Sequence, residues 1–255
     1  MPPTNPTLRD RLRDGETTFG LFLDLASPIS AELCTRAGYD WLLIDLEHGA
    51  ATEGDLLGLL HAVETAGGTA LVRPQSGERL RIGRALDLGA AGIMVPRLDS
   101  AAAAREAVTY LRYPPAGGRG VALRTRGAGL GAVGHDDVQA VNDRILGIVQ
   151  IESVGALGEA DQIAATDGVD VLFVGPTDLS HALGVPGRFD DETYTSALRT
   201  VVAACRAHGK AAGILVYDVA VVPSLIESGF RFIGIGADGS LVAEGARRAL
   251  AAVRA

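Results

Sequence analysis

Short apolar runs recur along this chain, separated by longer stretches in which apolar residues return every three or four positions. The runs fall at residues 19–25, 41–44, 69–73, 92–95, 145–152, 171–174, 211–216 and 232–235. Several are continuously apolar rather than alternating, the pattern of parallel strands covered on both faces. The punctuation between them also repeats. Gly38, Gly89, Gly168 and Gly229 each close a helix-like segment just before a strand, and glycine after a helix accepts the left-handed backbone that other residues resist. Eight strands alternating with helices predict an α/β fold, a (β/α)8 barrel. No linker-like stretch divides the chain, so residues 1–255 are read as one domain.

The helical stretches carry start signals. Ser27 before Pro28 has the form of an N-cap with proline in the first turn, followed by Ile29, Leu33 and Cys34 as an apolar face. Ser100 precedes an alanine-rich helix over 101–111 in the same way. The longest interval between strands, 98–144, holds Tyr113-Pro114-Pro115 and a glycine- and arginine-bearing piece, the composition of an irregular functional loop.

Composition narrows the function. With 47% hydrophobic residues in 255, one large core is within reach. The formal charge of −8 without a basic run argues against nucleic acid and acidic membranes as partners. Cys34 and Cys205 stand far apart in helical segments and are read as small buried hydrophobes rather than a disulfide. Residues 1–13 lack the apolar core of a secretion signal and no later stretch reads as a membrane span, so the expectation is a soluble cytoplasmic protein.

The chemistry gathers at strand ends. Trp41-Leu42-Leu43-Ile44 runs straight into Asp45, Glu47 and His48, three ionisable groups at the carboxyl end of a buried strand. In a barrel every such end opens on one face, so Arg73, Glu152 and Asp178 should join them there. Glu152 and Asp178 are hard oxygen donors suited to Mg2+ or Mn2+, with positions left over for a chelating substrate. Arg73 suits a developing oxyanion, and His48, held by Asp45, suits a general base. Together they fit enolate formation from a 2-oxo acid. Backbone N–H groups around Gly175, Pro176 and Thr177 offer a carboxylate cradle, although Pro176 has no N–H to give.

Plainer readings stand beside these. Arg73 would serve equally to cap a salt-bridge network, Glu152 and Asp178 as helix-cap or loop acids, and Glu47 as a solvated or supporting carboxylate rather than a metal ligand. His61, His135, His181 and His208 have no matched ligands and are read as surface or packing residues. Residues 234–240 are glycine-rich but lack phosphate-loop spacing and are read as a tight strand-to-helix turn. Lys210, the only lysine, falls at the amino-terminal end of its strand, the wrong face for a covalent amine mechanism.

Asp45-x-Glu47-His48, Arg73-Pro74, Val95-Pro96, Tyr113-Pro114-Pro115 with Arg119-Gly120, Gln150-x-Glu152 and Gly175-Pro176-x-Asp178-Leu179-Ser180 together resemble the HpcH/HpaI aldolases, metal-dependent class II pyruvate aldolases. The resemblance runs from about Gly20 to Ala237. It implies a TIM barrel that cleaves a 4-hydroxy-2-oxo acid to pyruvate and an aldehyde, with Glu152 and Asp178 on Mg2+, Mn2+ or Co2+. It casts His48 with Asp45 as base, Arg73 as enolate stabiliser, and Gln150 and Leu215 as substrate-pocket residues. It further implies a homohexamer exchanging a C-terminal helix, with Asp87 approaching the His48 network of a neighbouring subunit. The stretch 123–131 departs from the family in being richer in glycine, where the family loop helps shape the aldehyde site. Two other readings remain: a malyl- or citryl-CoA-type lyase on a related barrel, and a non-catalytic metabolite-binding barrel.

Overall fold

Eight parallel strands form in a computed structural model of the protein, each paired with its successor and the last with the first. They are β1 (Thr18–Leu23), β2 (Trp41–Asp45), β3 (Ala70–Arg73), β4 (Gly92–Val95), β5 (Leu146–Ile151), β6 (Val171–Val174), β7 (Ala211–Val216) and β8 (Phe230–Ala237). The result is a (β/α)8 barrel. The structure describes residues 6–254, so the first five residues of the amino-terminal segment lie outside it.

Helices follow in chain order: α1 (Leu8–Arg13), α2 (Pro28–Arg36), α3 (Leu56–Thr65), α4 (Arg79–Asp87), α5 (Ala101–Thr109) and α6 (Val138–Asn142). The second half has α7 (Val154–Gly158), α8 (Ala160–Ala164), α9 (Pro176–Ala182), α10 (Glu192–Ala207), α11 (Val222–Ser228) and α12 (Asp238–Arg254). The start signals hold: Ser27 Oγ accepts from Ser30 N–H at 3.2 Å and Ser100 Oγ from Ala103 N–H at 3.2 Å. Gly38, Gly89, Gly168 and Gly229 have φ of +100°, +107°, +92° and +115°. No helix among the described residues is long and apolar enough to cross a membrane.

Strand side chains divide into two layers with a period of two. Trp41 and Leu43 point into the barrel with Phe22, Leu71, Met94, Ile148, Phe173 and Phe232. Leu42 and Ile44 point outward into the shell shared with the helices, beside Val72, Ile93, Val149 and Leu172. Filling the interior needs large and small residues in register. Trp41 stacks on Phe232 with ring centroids 4.1 Å apart, and Gly20, paired with Trp41 across β1 and β2, leaves the space for the indole.

Some boundaries differ from expectation. β1 stops at Leu23 because Asp24 and Leu25 N–H turn away to Asp238 Oδ1, at 2.9 and 3.3 Å. β5 ends at Ile151, leaving Glu152 just beyond the ladder. On α2, Ile29 and Leu33 are 73% and 64% exposed, so the apolar face read there is not turned to the core, and Cys34 is half-buried. α12 is similar: beyond Ser240 every described residue is exposed, including Leu241, Val242, Leu250 and Val253.

The Gly20 contact is testable. A Cβ at Gly20 would lie 2.0 Å from the Trp41 ring, whereas one at Gly83, on α4, meets nothing within 4 Å. Gly20→Ala is expected to destabilise the fold by about 1–3 kcal/mol, or about 3–10 °C in Tm. Gly83→Ala should leave Tm unchanged or raise it; equal melting of the two variants would contradict this packing.

Candidate active site

The carboxyl ends of the strands surround a cavity of about 410 Å3. Its wall includes Asp45, His48, Arg73, Gln150, Glu152, Gly175, Pro176, Thr177, Asp178 and Leu215, which are the residues singled out in sequence apart from Glu47 and Asp87. Phe22, Asp24, Phe173, Tyr217 and Ala237 complete it. A larger cavity of about 920 Å3 lies between the amino-terminal segment, α6 and residues 126–133. Its lining holds Arg9, Arg126, Arg144, Glu64 and Asp137, with Arg126 paired to Glu64, but none of the strand-end residues singled out in sequence.

Arg73 is the centre of the site, and β-sheet register puts it there. Asp45 and Arg73 are direct partners across β2 and β3. The guanidinium is gripped on its fork side, Nε to Asp45 Oδ1 at 2.9 Å and Nη2 to Asp45 Oδ2 at 2.6 Å, and lies 5.3 Å from the Phe22 ring centroid. Its remaining edge reaches Gln150 Oε1 at 3.4 Å and Glu47 Oε2 at 3.3 Å from Nη1. Burial works against the charge of Arg73, but Asp45 and Glu47 outweigh it and hold its pKa above the ordinary value. The cation is therefore fixed in place before any substrate arrives.

This geometry corrects one expectation. Asp45 spends both oxygens on Arg73 and does not hold the His48 ring; it reaches that residue only through the backbone, His48 N–H to Oδ1 at 3.4 Å. The carboxylate beside the imidazole is Glu47, with Oε2 3.8 Å from Nε2. The His48 side chain is 68% exposed, so the ring stands at the mouth, free to turn. Burial pushes the Glu47 carboxyl up, with Arg73 and His48 opposing, and its Oε2 lies 3.3 Å from Arg73 Nη1, so it stands beside the cavity as a partner of Arg73 rather than in its wall.

Opposite stand Glu152 and Asp178. Glu152 is buried, and its Oε1 accepts the Arg97 N–H at 2.7 Å. Arg97 is held with φ of +51°, a backbone shape that turns this N–H to the carboxylate. A Cβ on Gly175 would come within 2.7 Å of Glu152 Oε2, so glycine keeps that oxygen clear. Burial pushes the Glu152 carboxyl up; the Arg97 N–H opposes this, and the Glu47 and Asp178 charges add to it. Gly175 N–H is committed to Ile151 O at 3.3 Å. The cradle read around Gly175 thus shifts to Thr177 and Asp178, whose N–H groups lie in the first turn of α9, where helices leave donors unpaired.

A family model of HpcH/HpaI aldolase/citrate lyase matches residues 18–245. The chain belongs to this family. It is 43% identical to a hydroxypyruvate/pyruvate aldolase of Paraburkholderia phytofirmans, over 98% of both chains. It is 40% identical to a 2-keto-3-deoxy-L-rhamnonate aldolase of Klebsiella pneumoniae, over 97% of this chain and 92% of that one. Among solved structures, an HpcH/HpaI aldolase/citrate lyase family protein from Burkholderia cenocepacia J2315 superposes with a TM-score of 0.92 at 39% identity, covering 97% and 99% of the two chains.

Other residues of this HpcH/HpaI family member fall outside the cavity. Asp87, the last residue of α4, pairs with Arg119 Nη2 at 2.8 Å, and the Arg119 guanidinium lies 4.3 Å from the Tyr113 ring centroid. The glycine-rich stretch 126–131 packs on the end of α4 rather than over its own site, with Arg126 Nη1 donating to Leu88 O at 2.9 Å. Lys210 Nζ donates to Val169 O at 2.7 Å, at the start of β7. His61, His135, His181 and His208 are exposed. The stretch read as a turn, 234–240, is instead the end of β8 and the start of α12, the strand passing directly into the helix at Asp238, with Ser240 Oγ donating to Ala237 O at 2.6 Å.

Sequence reasoning missed Arg97, because a backbone donor carries no side-chain signature, and Asp24, which follows its strand without a motif. Asp24 Oδ1 accepts Gly239 N–H at 3.0 Å. Its carboxyl is pushed up to about 6, by burial and then by neighbouring Asp238, with the Gly239 N–H opposing.

The ion pair at the centre makes a stability prediction. Asp45→Ala strands a buried guanidinium and is expected to cost about 3–5 kcal/mol. Adding Arg73→Met should cost less than the sum of the single changes, by about 1–3 kcal/mol. Urea unfolding of the two single variants and the double variant measures this coupling; additive costs would show that the pair does not act as a unit.

Proposed function

We propose that this chain is a class II aldolase that reversibly cleaves a 4-hydroxy-2-oxo acid to pyruvate and an aldehyde with a divalent cation, Mg2+, Mn2+ or Co2+. The observation that carries the reading is a buried, fixed Arg73 sharing one cavity with Glu152, Asp178 and His48. The carboxylates fit such an ion. Glu152 Oε2 is kept clear by Gly175, and among the described residues the one arginine or lysine in the cavity wall, Arg73, is already neutralised by Asp45. No third His, Cys, Asp or Glu joins a metal-holding group among the described residues, which leaves positions for water and a bidentate substrate.

The ion, when bound, supplies Lewis acidity toward the substrate's 2-oxo group. Arg73, with Nη1 turned away from Asp45, meets the oxyanion that grows as the C3–C4 bond breaks, and needs no reorganisation to do so. Thr177 and Asp178 N–H groups receive the substrate carboxylate, with Leu215 and Phe173 against its apolar side. His48 takes the C4 hydroxyl proton, Glu47 favouring the imidazolium that results. Once the aldehyde has left, the His48 imidazolium returns its proton to C3 of the enolate, which gives pyruvate and restores the neutral base. On this reading Lys210 has no part, and the compartment is the cytoplasm.

The CoA-lyase alternative is less well supported, because Arg73 is the only arginine or lysine lining the cavity and Asp45 already engages it. A binding protein without turnover would have no use for the exposed imidazole. Exchange of pyruvate methyl protons for deuterium, followed by NMR, separates these readings. Metal-loaded protein should exchange, EDTA should abolish it, and His48→Ala should slow it by about 10²–10⁴-fold. Exchange that survives chelation, or a borohydride-trapped pyruvate adduct, would overturn the proposal.

We further infer a homo-oligomer, a hexamer as the family resemblance has it, in which α12 crosses to a neighbour. The support is paired exposure: Leu241, Val242, Leu250 and Val253 on α12, and Ile29 and Leu33 on α2. Such an assembly would bring residues 123–131 or Asp87 of one subunit toward the site of another. Leu250→Glu with Val253→Glu should lower the mass seen by light scattering; an unchanged mass would remove α12 from the interface.

A further inference from the structure

Asp24 is the acid in this cavity that the mechanism above leaves unused. It follows β1, which in the closed barrel lies four strands from β5 in either direction, so Asp24 stands across the mouth from Glu152. The chain holds it there on three sides. Gly239 N–H donates to its Oδ1 at 3.0 Å, and a Cβ at residue 239 would come within 2.6 Å of that oxygen. Asp238 anchors the backbone, accepting Asp24, Leu25 and Gly239 N–H on Oδ1 and Ser30 Oγ–H on Oδ2, the last at 2.6 Å. Ala50 N–H donates to Asp24 O at 2.8 Å, which ties Asp24 to the segment carrying His48.

Asp238 lies beside this carboxyl, and the cavity wall it shares includes the apolar and aromatic Phe22, Leu215, Tyr217 and Ala237. Beside the Asp238 carboxyl, its side chain accepts one N–H from another residue among those described, that of Gly239, so acceptor capacity remains toward the cavity. A carboxylate in such a wall selects for what it can bond.

Position then decides which part of the substrate it meets. A 2-oxo acid chelated beside Glu152 and Asp178 must bring its C4 hydroxyl to His48. The atoms beyond C4, which leave as the aldehyde's own substituent, therefore extend toward the β1 side of the mouth. We propose that Asp24 is a specificity residue for the aldehyde half: its carboxylate accepts a hydrogen bond from a hydroxyl adjacent to the aldehyde carbon, favouring 2-hydroxyaldehydes over deoxy counterparts and disfavouring aldehydes that carry a carboxylate. This rests on the aldolase reading.

The test measures kcat and KM in the condensation direction with pyruvate and each of glycolaldehyde, acetaldehyde and glyoxylate, for wild-type protein, Asp24→Asn and Asp24→Ala. In wild type, kcat/KM for glycolaldehyde should exceed that for acetaldehyde. Asp24→Ala should lower this ratio by about 10–100-fold, the range for losing a hydrogen bond to a charged group, mainly through KM. Both variants should raise kcat/KM for glyoxylate, a gain that a merely structural role for Asp24 would not produce. Parallel losses with all three aldehydes, or a glycolaldehyde-to-acetaldehyde ratio unchanged within twofold, would overturn the proposal. Should wild type fail to exchange pyruvate protons, the aldolase reading itself falls; exchange with an unmoved ratio removes Asp24 alone.

Discussion

The site depends on one buried ion pair. Asp45 and Arg73 face each other because β2 and β3 pair in a register that also aligns Leu43 with Leu71 and Ile44 with Val72. A slip of one residue would turn every side chain of β3 to the other face, so the barrel's packing and the position of its central cation are specified by the same contacts. The pair is bidentate and planar, a geometry that lysine would not reproduce.

Once Asp45 has neutralised Arg73, the cavity is left with Asp24, Glu152 and Asp178, and Glu47 beside Arg73, around a single compensated cation. Burial pushes the Glu47 and Glu152 carboxyls up, with the Asp45 charge adding to the first and the Glu47 and Asp178 charges to the second. An excess of carboxylates in a cleft costs stability unless a cation or a proton compensates it. The protein keeps the arrangement by specific means: a left-handed turn at Arg97 that supplies a donor, and a glycine at 175 that withholds a side chain. Such local sacrifices are found where a fold serves chemistry rather than its own stability.

Most of the barrel was legible because its strands are buried on both faces and so appear as uninterrupted apolar runs, with glycines at the helix ends that only a left-handed turn explains. The identities of the residues at the strand ends were legible for the same reason, since Asp45, Arg73, Glu152 and Asp178 follow those runs directly. Their pairings were not. Asp45 is three residues from His48 but 28 from Arg73, and it is the distant partner that the sheet register delivers. Helix faces were equally hard to assign. Ile29 and Leu33 have the spacing of a core face, yet the spacing of apolar residues does not say whether the covering surface belongs to the same chain.

Asp238 joins two parts of the molecule that otherwise look independent. It is the first residue of α12, the helix that stands away from the barrel, and its buried carboxylate accepts from the end of β1, from Ser30 on α2 and from Gly239. The direction in which α12 leaves the barrel is thus set by the same group that fixes the backbone of Asp24 at the cavity wall. A rotation of α12 about its first turn would strain these bonds and move Gly239 against the Asp24 carboxyl, where there is no room for even one added carbon. The hydrogen-bond cluster around Asp238 thus couples the orientation of α12 to the backbone at the β1 side of the mouth.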